Sequence, residues 1–422
     1  MEGRRTRLLF VVAWVTATLL LASGTAVGVG SSDGAVQVAA PTGVDGEVVA
    51  YGSSQLLLIR HPYEGQSGIT RINLDGSVDH SFGGEGTVAM AAEDAIVTRG
   101  GKILVSGSSN PTGGKRDARV TRLLPDGRPD ATFGVAGSAD VDFGGRYDNG
   151  QRLALTAHGQ ILLAGYRQRS ASSRGETNSS PAVARLRPDG SLDRSFGRKG
   201  VRVFPGGGET AVLDIASTPD GGAVVNVGNE AVFALLKLTH EGSVDSEFGK
   251  RGWLEVRGKR EKYGYHEELF VTPQLAVLPS GKLLLAATGY PNRGPDVTFR
   301  VVAVRLHPDG RVDRSYGDDG WAVAGKGPGW TFAEGLTLLP GGVLAIATSF
   351  AIPPYEQREF GAVAFGPDGR LERRFGKQGR CRARLAGEQE ALGVAALGRR
   401  AAVMGYGDDG PWLLNCPALR RR

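Results

Sequence analysis

One short sentence recurs six times along this chain, and it constrains the fold more than any other feature. Its first copy runs from Arg71 through Asp75-Gly76, Asp79 and Phe82-Gly83 to Gly86. The acidic turn begins again at Asp126-Gly127, Asp189-Gly190, Glu241-Gly242, Asp309-Gly310 and Asp368-Gly369. Seven residues after each acid stands a ring: Phe82, Phe133, Phe196, Phe248, Tyr316 and Phe375. The copies start 51, 63, 52, 68 and 59 residues apart. Fixed internal spacing with elastic intervals means one structural unit repeated with loops of varying length.

Each interval also holds two apolar runs around a glycine turn, as in Ile96-Val97-Thr98-Arg99-Gly100-Gly101-Lys102-Ile103-Leu104-Val105. Short β-rich runs bounded by glycine turns read as hairpins. Four strands per unit of 50–65 residues predict a β-propeller. An aromatic residue between sheets and glycines at positive φ account for the ring and the turns.

A type I turn with a glycine bulge sets the residue four before the acid opposite the residue four after it. The resulting pairs are Arg71/Asp79, Arg122/Asp130, Arg185/Asp193, Lys237/Asp245 and Arg305/Asp313, all opposite in sign. The sixth copy has Ala364 facing Glu372. Such cross-strand pairs contribute about 0.2–1 kcal/mol each. In the second copy Arg122, Asp126, Gly127, Asp130 and Phe133 thus carry turn, register and packing roles, with no chemistry assigned to them.

After the sixth sentence the chain makes three more strands, within residues 393–416, and lacks a fourth. Residues 34–39 (Gly-Ala-Val-Gln-Val-Ala) match the segment just after each sentence's last glycine, such as residues 86–91. The expectation is an all-β, seven-bladed propeller of four-stranded blades, its last blade closed by an N-terminal strand. Closure removes both exposed edges. Glycine at 65 of 422 residues and 41% hydrophobic residues fit a turn-dense β protein with a core. Collagen-like, coiled-coil and multi-span membrane classes are excluded.

The two-part sentence resembles the delta-60 repeat family, a group of predicted β-propeller modules found mostly in exported bacterial proteins. The resemblance covers residues 46–407. It rests on the Asp-Gly, the second acid, the Phe-Gly, the final glycine and the Gly-Lys-Ile-Leu-Val-type hairpin. It implies a propeller and an extracytoplasmic setting, and it brings no catalytic motif.

A basic start (Arg4, Arg5, Arg7) followed by an uncharged stretch reads as a signal peptide over residues 1–30, with an uncleaved anchor as the alternative. One propeller domain over 34–417 and a basic tail over 418–422 complete the expected layout. The localisation expected is secreted or extracytoplasmic, with association to the cell envelope as a variant of it. Cys381 and Cys416 either form one disulfide or remain two separate thiols. The formal charge of +6, part of it in the leader, is a poor nucleic-acid signature.

Alternating strand direction puts two kinds of turn on each face of the ring. One face carries only tight turns. The other carries the long connections, residues 110–118, 168–182, 257–268, 290–296, 325–334 and 352–359. Length concentrated on one face of a rigid scaffold marks a binding face, and tolerated insertion is the alternative. Candidate ligand contacts there are Tyr263, Tyr265, His266, Glu267, Trp330 and Tyr355, in connections that mix aromatic and charged groups. Acids where the innermost strands enter (Glu47, Glu93, Asp214, Glu334 and Glu390) are expected to ring an acidic channel mouth, unless they cap strand ends.

Two functions emerge as expectations. The first is a secreted, monomeric, non-catalytic propeller that binds an extracellular protein, peptide or glycan, with no cofactor and no nucleic acid. Membrane contact enters only if the leader stays. The second is a propeller-type lyase or hydrolase with a divalent cation held at the acidic mouth. A purely structural envelope component is a third.

Overall fold

The computed structural model describes residues 35–39, 47–60, 67–109, 114–171, 177–205, 211–228, 233–256, 267–269, 274–291, 299–324, 330–352, 357–385 and 389–419. The second strand of each unit is an almost continuous apolar run. Leu56 to Ile59 are all buried, as are all six residues of Ala223–Gly228. Such a run suits a strand covered on both faces. The covering is supplied by neighbouring sheets.

Seven antiparallel sheets result, the first six made in chain order from the inside outward. Blade 1 comprises Val48–Tyr51, Gln55–Arg60, Gly68–Asn73 and Thr87–Ala89. Blade 2 comprises Asp94–Val97, Ile103–Ser108, Ala118–Leu123 and Ser138–Val141. Blade 3 is longer: Tyr147–Leu155, Ile161–Ala171, Thr177–Leu186 and Val201–Val203. Blade 4 holds Ala211–Ser217, Ala223–Gly228, Phe233–Leu238 and Trp253–Glu255. In blade 5, Gln274–Val277, Leu283–Pro291, Arg300–Leu306 and Trp321–Ala324 are joined by a short fifth strand, Glu267–Leu269. Blade 6 holds Trp330–Leu339, Val343–Ile352, Gln357–Phe365 and Arg380–Ala383.

Blade 7 is built from both parts of the chain, as expected. Its inner strands are Gln389–Leu397, Arg400–Gly407 and Gly410–Cys416, and Ala35–Gln37 is its outer strand. Ala35 pairs with Leu414 and Gln37 with Trp412. Ala39 N–H then donates to Gly76 O of blade 1 (3.0 Å), and Asn415 Nδ2 to Leu74 O (2.9 Å). The fold is an all-β, seven-bladed propeller, without a helix among the described residues.

Its core lies between blades. Seven apolar clusters fill the seven junctions, from Leu57, Phe82 and Val105 between blades 1 and 2 round to Val48, Met404 and Leu413 between blades 7 and 1. Each cluster needs both neighbours, so the ring has no blade that is complete alone.

The repeated sentence works across these junctions as well as within a blade. Arg122 lies over the Phe133 ring at 4.6 Å, and its Nε donates to Asp130 Oδ2 at 2.7 Å. Its Nη1 donates to Pro188 O in the Pro-Asp-Gly turn of blade 3. Beside it, Gly134 N–H donates to Asp189 O of the same turn (2.8 Å). Arg71, Arg185, Lys237 and Arg305 reach the next blade's turn in the same way, at Pro125, His240, Pro308 and Pro367. These charge-assisted bonds clasp each turn onto the ring of the preceding blade. The cross-strand pairs are present in register, and the clasp is their further role.

The acidic turn also explains its glycine. Gly127 has φ +87°, and a Cβ there would lie 2.8 Å from Gly83 N and 3.0 Å from the Phe82 ring. Positive φ and close approach both demand glycine.

Candidate functional site: the channel mouth

The innermost strands meet at the centre, and in four of them a bulge falls near the point of entry. The register shifts between Gly150/Arg152, Val212/Asp214, Ala333/Gly335 and Ala391/Gly393. A bulge leaves one residue's backbone groups without ladder partners. Next to these bulges, and on the unbulged innermost strand of blade 5, side chains of the preceding blade accept from backbone N–H groups along the inner edge. Asp94 Oδ2 accepts from Leu153 N–H and Asp214 Oδ2 from Leu275 N–H, each at 2.7 Å. Gln151 Oε1 accepts from Val212 N–H (3.2 Å), Thr288 Oγ1 from Ala333 N–H (2.8 Å) and Ser349 Oγ from Ala391 N–H (2.9 Å). Asp94 and Asp214 therefore each cap a backbone N–H group on the innermost strand of the next blade.

A cation closes the same mouth. Arg152 Nε donates to Leu213 O, the carbonyl freed by the blade 4 bulge, at 2.9 Å. Its Nη1 donates to Gln151 O at 3.1 Å, and its Nη2 lies 3.2 Å from Glu47 Oε1 of blade 1. The guanidinium thus links blades 1, 3 and 4 across the channel. Burial works against its charge, but Glu47, Asp94, Asp214 and Glu93 more than offset this and raise its pKa. Burial pushes Asp94 well above the carboxylate range, with Glu47 adding to it and Arg152 opposing. Burial likewise lifts Asp214 to about 7, against the Leu275 N–H and Arg152.

The five acids expected to form one ring do not occupy equivalent places. Counted from the inner hairpin, Glu47, Asp94, Arg152, Asp214, Gln274, Gly335 and Gly393 correspond. Glu93 and Glu334 stand one residue earlier. Glu93 Oε1 accepts from Asn149 Nδ2 (3.2 Å) and Glu334 Oε1 from Ser349 Oγ (3.3 Å). Glu390 sits further out, exposed and opposite Tyr406. The mouth is a mixed-charge network on the blade 1–4 side and a close backbone approach on the blade 6–7 side, where a Cβ on Gly335 would lie 3.3 Å from Gly393 Cα. Sequence reading missed Asp94 and Arg152. The signal was available in the count back from each inner hairpin, where Asp94 and Arg152 stand three residues before Val97 and Leu155.

Of the loop candidates, Tyr263, Tyr265, His266 and Tyr355 lie outside the described residues. Glu267 and Trp330 are described by backbone only, Glu267 opposite Pro291 and Trp330 opposite Ala351. The long-connection face does carry ordered ribbon. In blade 3 the ladder extends to Tyr147↔Gln168 and Ala171↔Thr177, and in blade 6 to Trp330↔Ala351 and Ile352↔Gln357. Blade 2, by contrast, ends at Asp94↔Ser106 and Ser108↔Ala118. Cys381 and Cys416 form a disulfide between the outer strand of blade 6 and the third strand of blade 7.

Residues 101–133 and 159–196, within blades 2 and 3, match the family described as "Domain of unknown function (DUF5122) beta-propeller". The match supports a propeller repeat family. No curated protein matches the sequence. Among solved structures, an ulvan lyase of polysaccharide lyase family PL25 is 10% identical, with 74% of this chain and 78% of that one covered and a TM-score of 0.39. A prolyl endopeptidase is 14% identical over 88% of this chain and 46% of its own, at 0.47. Raptor from Chaetomium thermophilum is 9% identical over 92% and 29%, also at 0.47. The chain spans less than half the length of the last two. At these scores none of them bears on the chemistry of this chain.

Proposed function

We propose that the protein is an exported, non-catalytic propeller that binds an extracellular protein, peptide or glycan on the face carrying the long connections. The observation that carries this reading is the pair of extended ribbons of blades 3 and 6, which stand on one face and on well-separated sides of the ring. Rigid ribbons around a channel offer a large recognition surface on a fixed scaffold. The disulfide favours an oxidising compartment, in keeping with the basic and apolar leader. The likeness of the repeat to the delta-60 family points to the same setting.

A lyase or hydrolase remains the second reading because Asp94 and Asp214 are buried carboxylates with raised pKa values, which is how general acids are tuned. Against it, both carboxylates already cap backbone N–H groups, and Arg152 occupies the mouth where a cation would sit.

The test is a glycan and peptide array probed with the full chain and with a variant whose residues 169–178 are replaced by Asn-Gly. The ribbon would then close directly after the Gln168↔Ser179 pair. The proposal expects a ligand bound by the parent and lost, with unchanged Tm, by the variant. A ligand retained equally by both, or turnover of a polysaccharide abolished by Asp214→Asn, would contradict it.

A further inference from the structure

A second acidic cluster lies away from the channel, where blades 2 and 3 adjoin on the long-connection face. Asp117 precedes the third strand of blade 2, Asp142 follows its outer strand, and Asp148 is the second residue of blade 3's innermost strand. Each offers a carboxylate oxygen, and the three oxygens lie within 4.8 Å of one another.

The backbone holds these segments in place. Arg116 N–H donates to Arg146 O (2.9 Å), Asp148 N–H to Arg116 O (2.8 Å) and Ser109 N–H to the Asp117 carbonyl (2.8 Å). The tight Phe143-Gly144-Gly145 turn then aims N–H groups at the acids. Phe143 N–H donates to Asp148 Oδ2 at 2.7 Å, and Gly144 N–H to Asp142 Oδ1 at 2.7 Å.

Two of the carboxylate oxygens are left over by these bonds. Asp148 is 1% exposed, and its Oδ1 is buried without a hydrogen-bond partner. Asp117 Oδ1 is also buried and accepts no well-formed hydrogen bond. The cation in contact is Lys115, whose Nζ lies 2.8 Å from Asp142 Oδ2 and 3.2 Å from Asp117 Oδ1. Its side chain is half exposed. A buried carboxylate oxygen with no partner is costly.

We propose that Asp117, Asp142 and Asp148 form a calcium site that ties the third strand of blade 2 to the innermost strand of blade 3 on the long-connection face. An all-oxygen donor set suits Ca²⁺, whose ligands stand about 2.3–2.6 Å from the ion and hence no more than about 5 Å from one another. The ion supplies the partner that Asp148 lacks and displaces Lys115. Carboxylates from two blades, with water completing the shell, would make the site a clamp on the local ribbon.

Calcium titration of the chelator-treated full chain, by calorimetry and by Tm, tests this. One equivalent is expected to bind with a Kd on the order of 10⁻⁴ M, in the range of extracellular modules. Asp142→Asn, at an exposed side chain, and Asp148→Asn should each weaken binding at least tenfold. Lys115→Met should tighten it, because the competing ammonium is gone. Asp214→Asn, in the channel, should leave it unchanged. No saturable binding by the parent overturns the proposal. Binding lost in Asp214→Asn and kept in Asp142→Asn overturns it equally, since the ion would then sit in the channel.

Discussion

Cys381 in blade 6 is bonded to Cys416 in blade 7 at a junction where the arginine clasp is missing. The sixth sentence has Ala364 where the other copies have Arg or Lys, and Glu372 turns to Arg374 of its own blade at 2.6 Å. Blade 7 has no Pro-Asp-Gly turn to receive a clasp, because its outer strand comes from the other end of the chain. The disulfide fastens the junction instead.

The loop closed by this disulfide spans 35 residues, which the chain-entropy estimate equates with about 3–4 kcal/mol. Urea unfolding of the oxidised protein and of Cys381→Ser/Cys416→Ser should differ by that amount. Equal midpoints would mean the junction does not depend on the bond.

Among the clasps, Arg185 is the most enclosed, with its side chain 1% exposed and that of Asp193 7%. Arg185→Ala strands Asp193 and frees His240 O, and should cost about 3–5 kcal/mol. Arg185→Lys should recover part of this, since Lys237 serves natively at the equivalent place. Arg128, whose side chain is 76% exposed beside Asp126, provides the contrast, and Arg128→Ala should change stability by about 0.5 kcal/mol or less. Equal losses at both positions would refute an inter-blade role.

Gly127 and Gly52 separate backbone strain from steric overlap. Both have positive φ, but a Cβ at Gly52 meets nothing within 4 Å. Gly52→Ala should cost about 1–2 kcal/mol from the left-handed backbone alone. Gly127→Ala adds collision with Gly83 N and Phe82 and should cost about 1–3 kcal/mol more. Chemical denaturation of the two variants measures the difference.

Asp214 gives a pH signature. Its folded pKa is raised to about 7, above an unfolded value of about 3.9. The folded state therefore binds the extra proton between those values, so stability rises as pH falls from about 7 towards 4. Relative to Asp214→Asn, the parent should gain on the order of 2 kcal/mol between pH 8 and pH 5. A parent-minus-variant difference that stays constant with pH would show that Asp214 is not raised. The clasp acids act in the opposite sense. Asp79 is lowered to about 2, chiefly by the Ser81 hydroxyl, and its contribution is lost only as pH falls below about 4.

Blade number and closure were legible because each copy of the sentence sets ring, acid and glycine at fixed spacing, which loop length cannot disturb. The pairing of Arg122 with Asp130 was legible for the same reason. Its reach to Pro188 was not, since a bond between blades connects residues 66 apart with no local pattern. Arg152 was hidden differently. The interval from each sentence's last glycine to the next innermost strand varies, 8 residues from Gly86 to Asp94 and 15 from Gly137 to Arg152, so a forward count cannot reach it. The Asp117, Asp142 and Asp148 cluster comes from segments that no repeat relates.

Ring closure by the N-terminal strand is the claim on which blade number, clasp order and loop face all depend. The most direct measurement is the Tm of the chain lacking residues 1–39 against the chain that retains 35–39. Ala35 and Val38 are buried, and the third strand of blade 7 would lose its partner. The truncated chain should melt at least about 5 °C lower, and a peptide of residues 34–40 added in excess should restore part of the loss. Equal melting of the two chains would contradict a ring closed in this way.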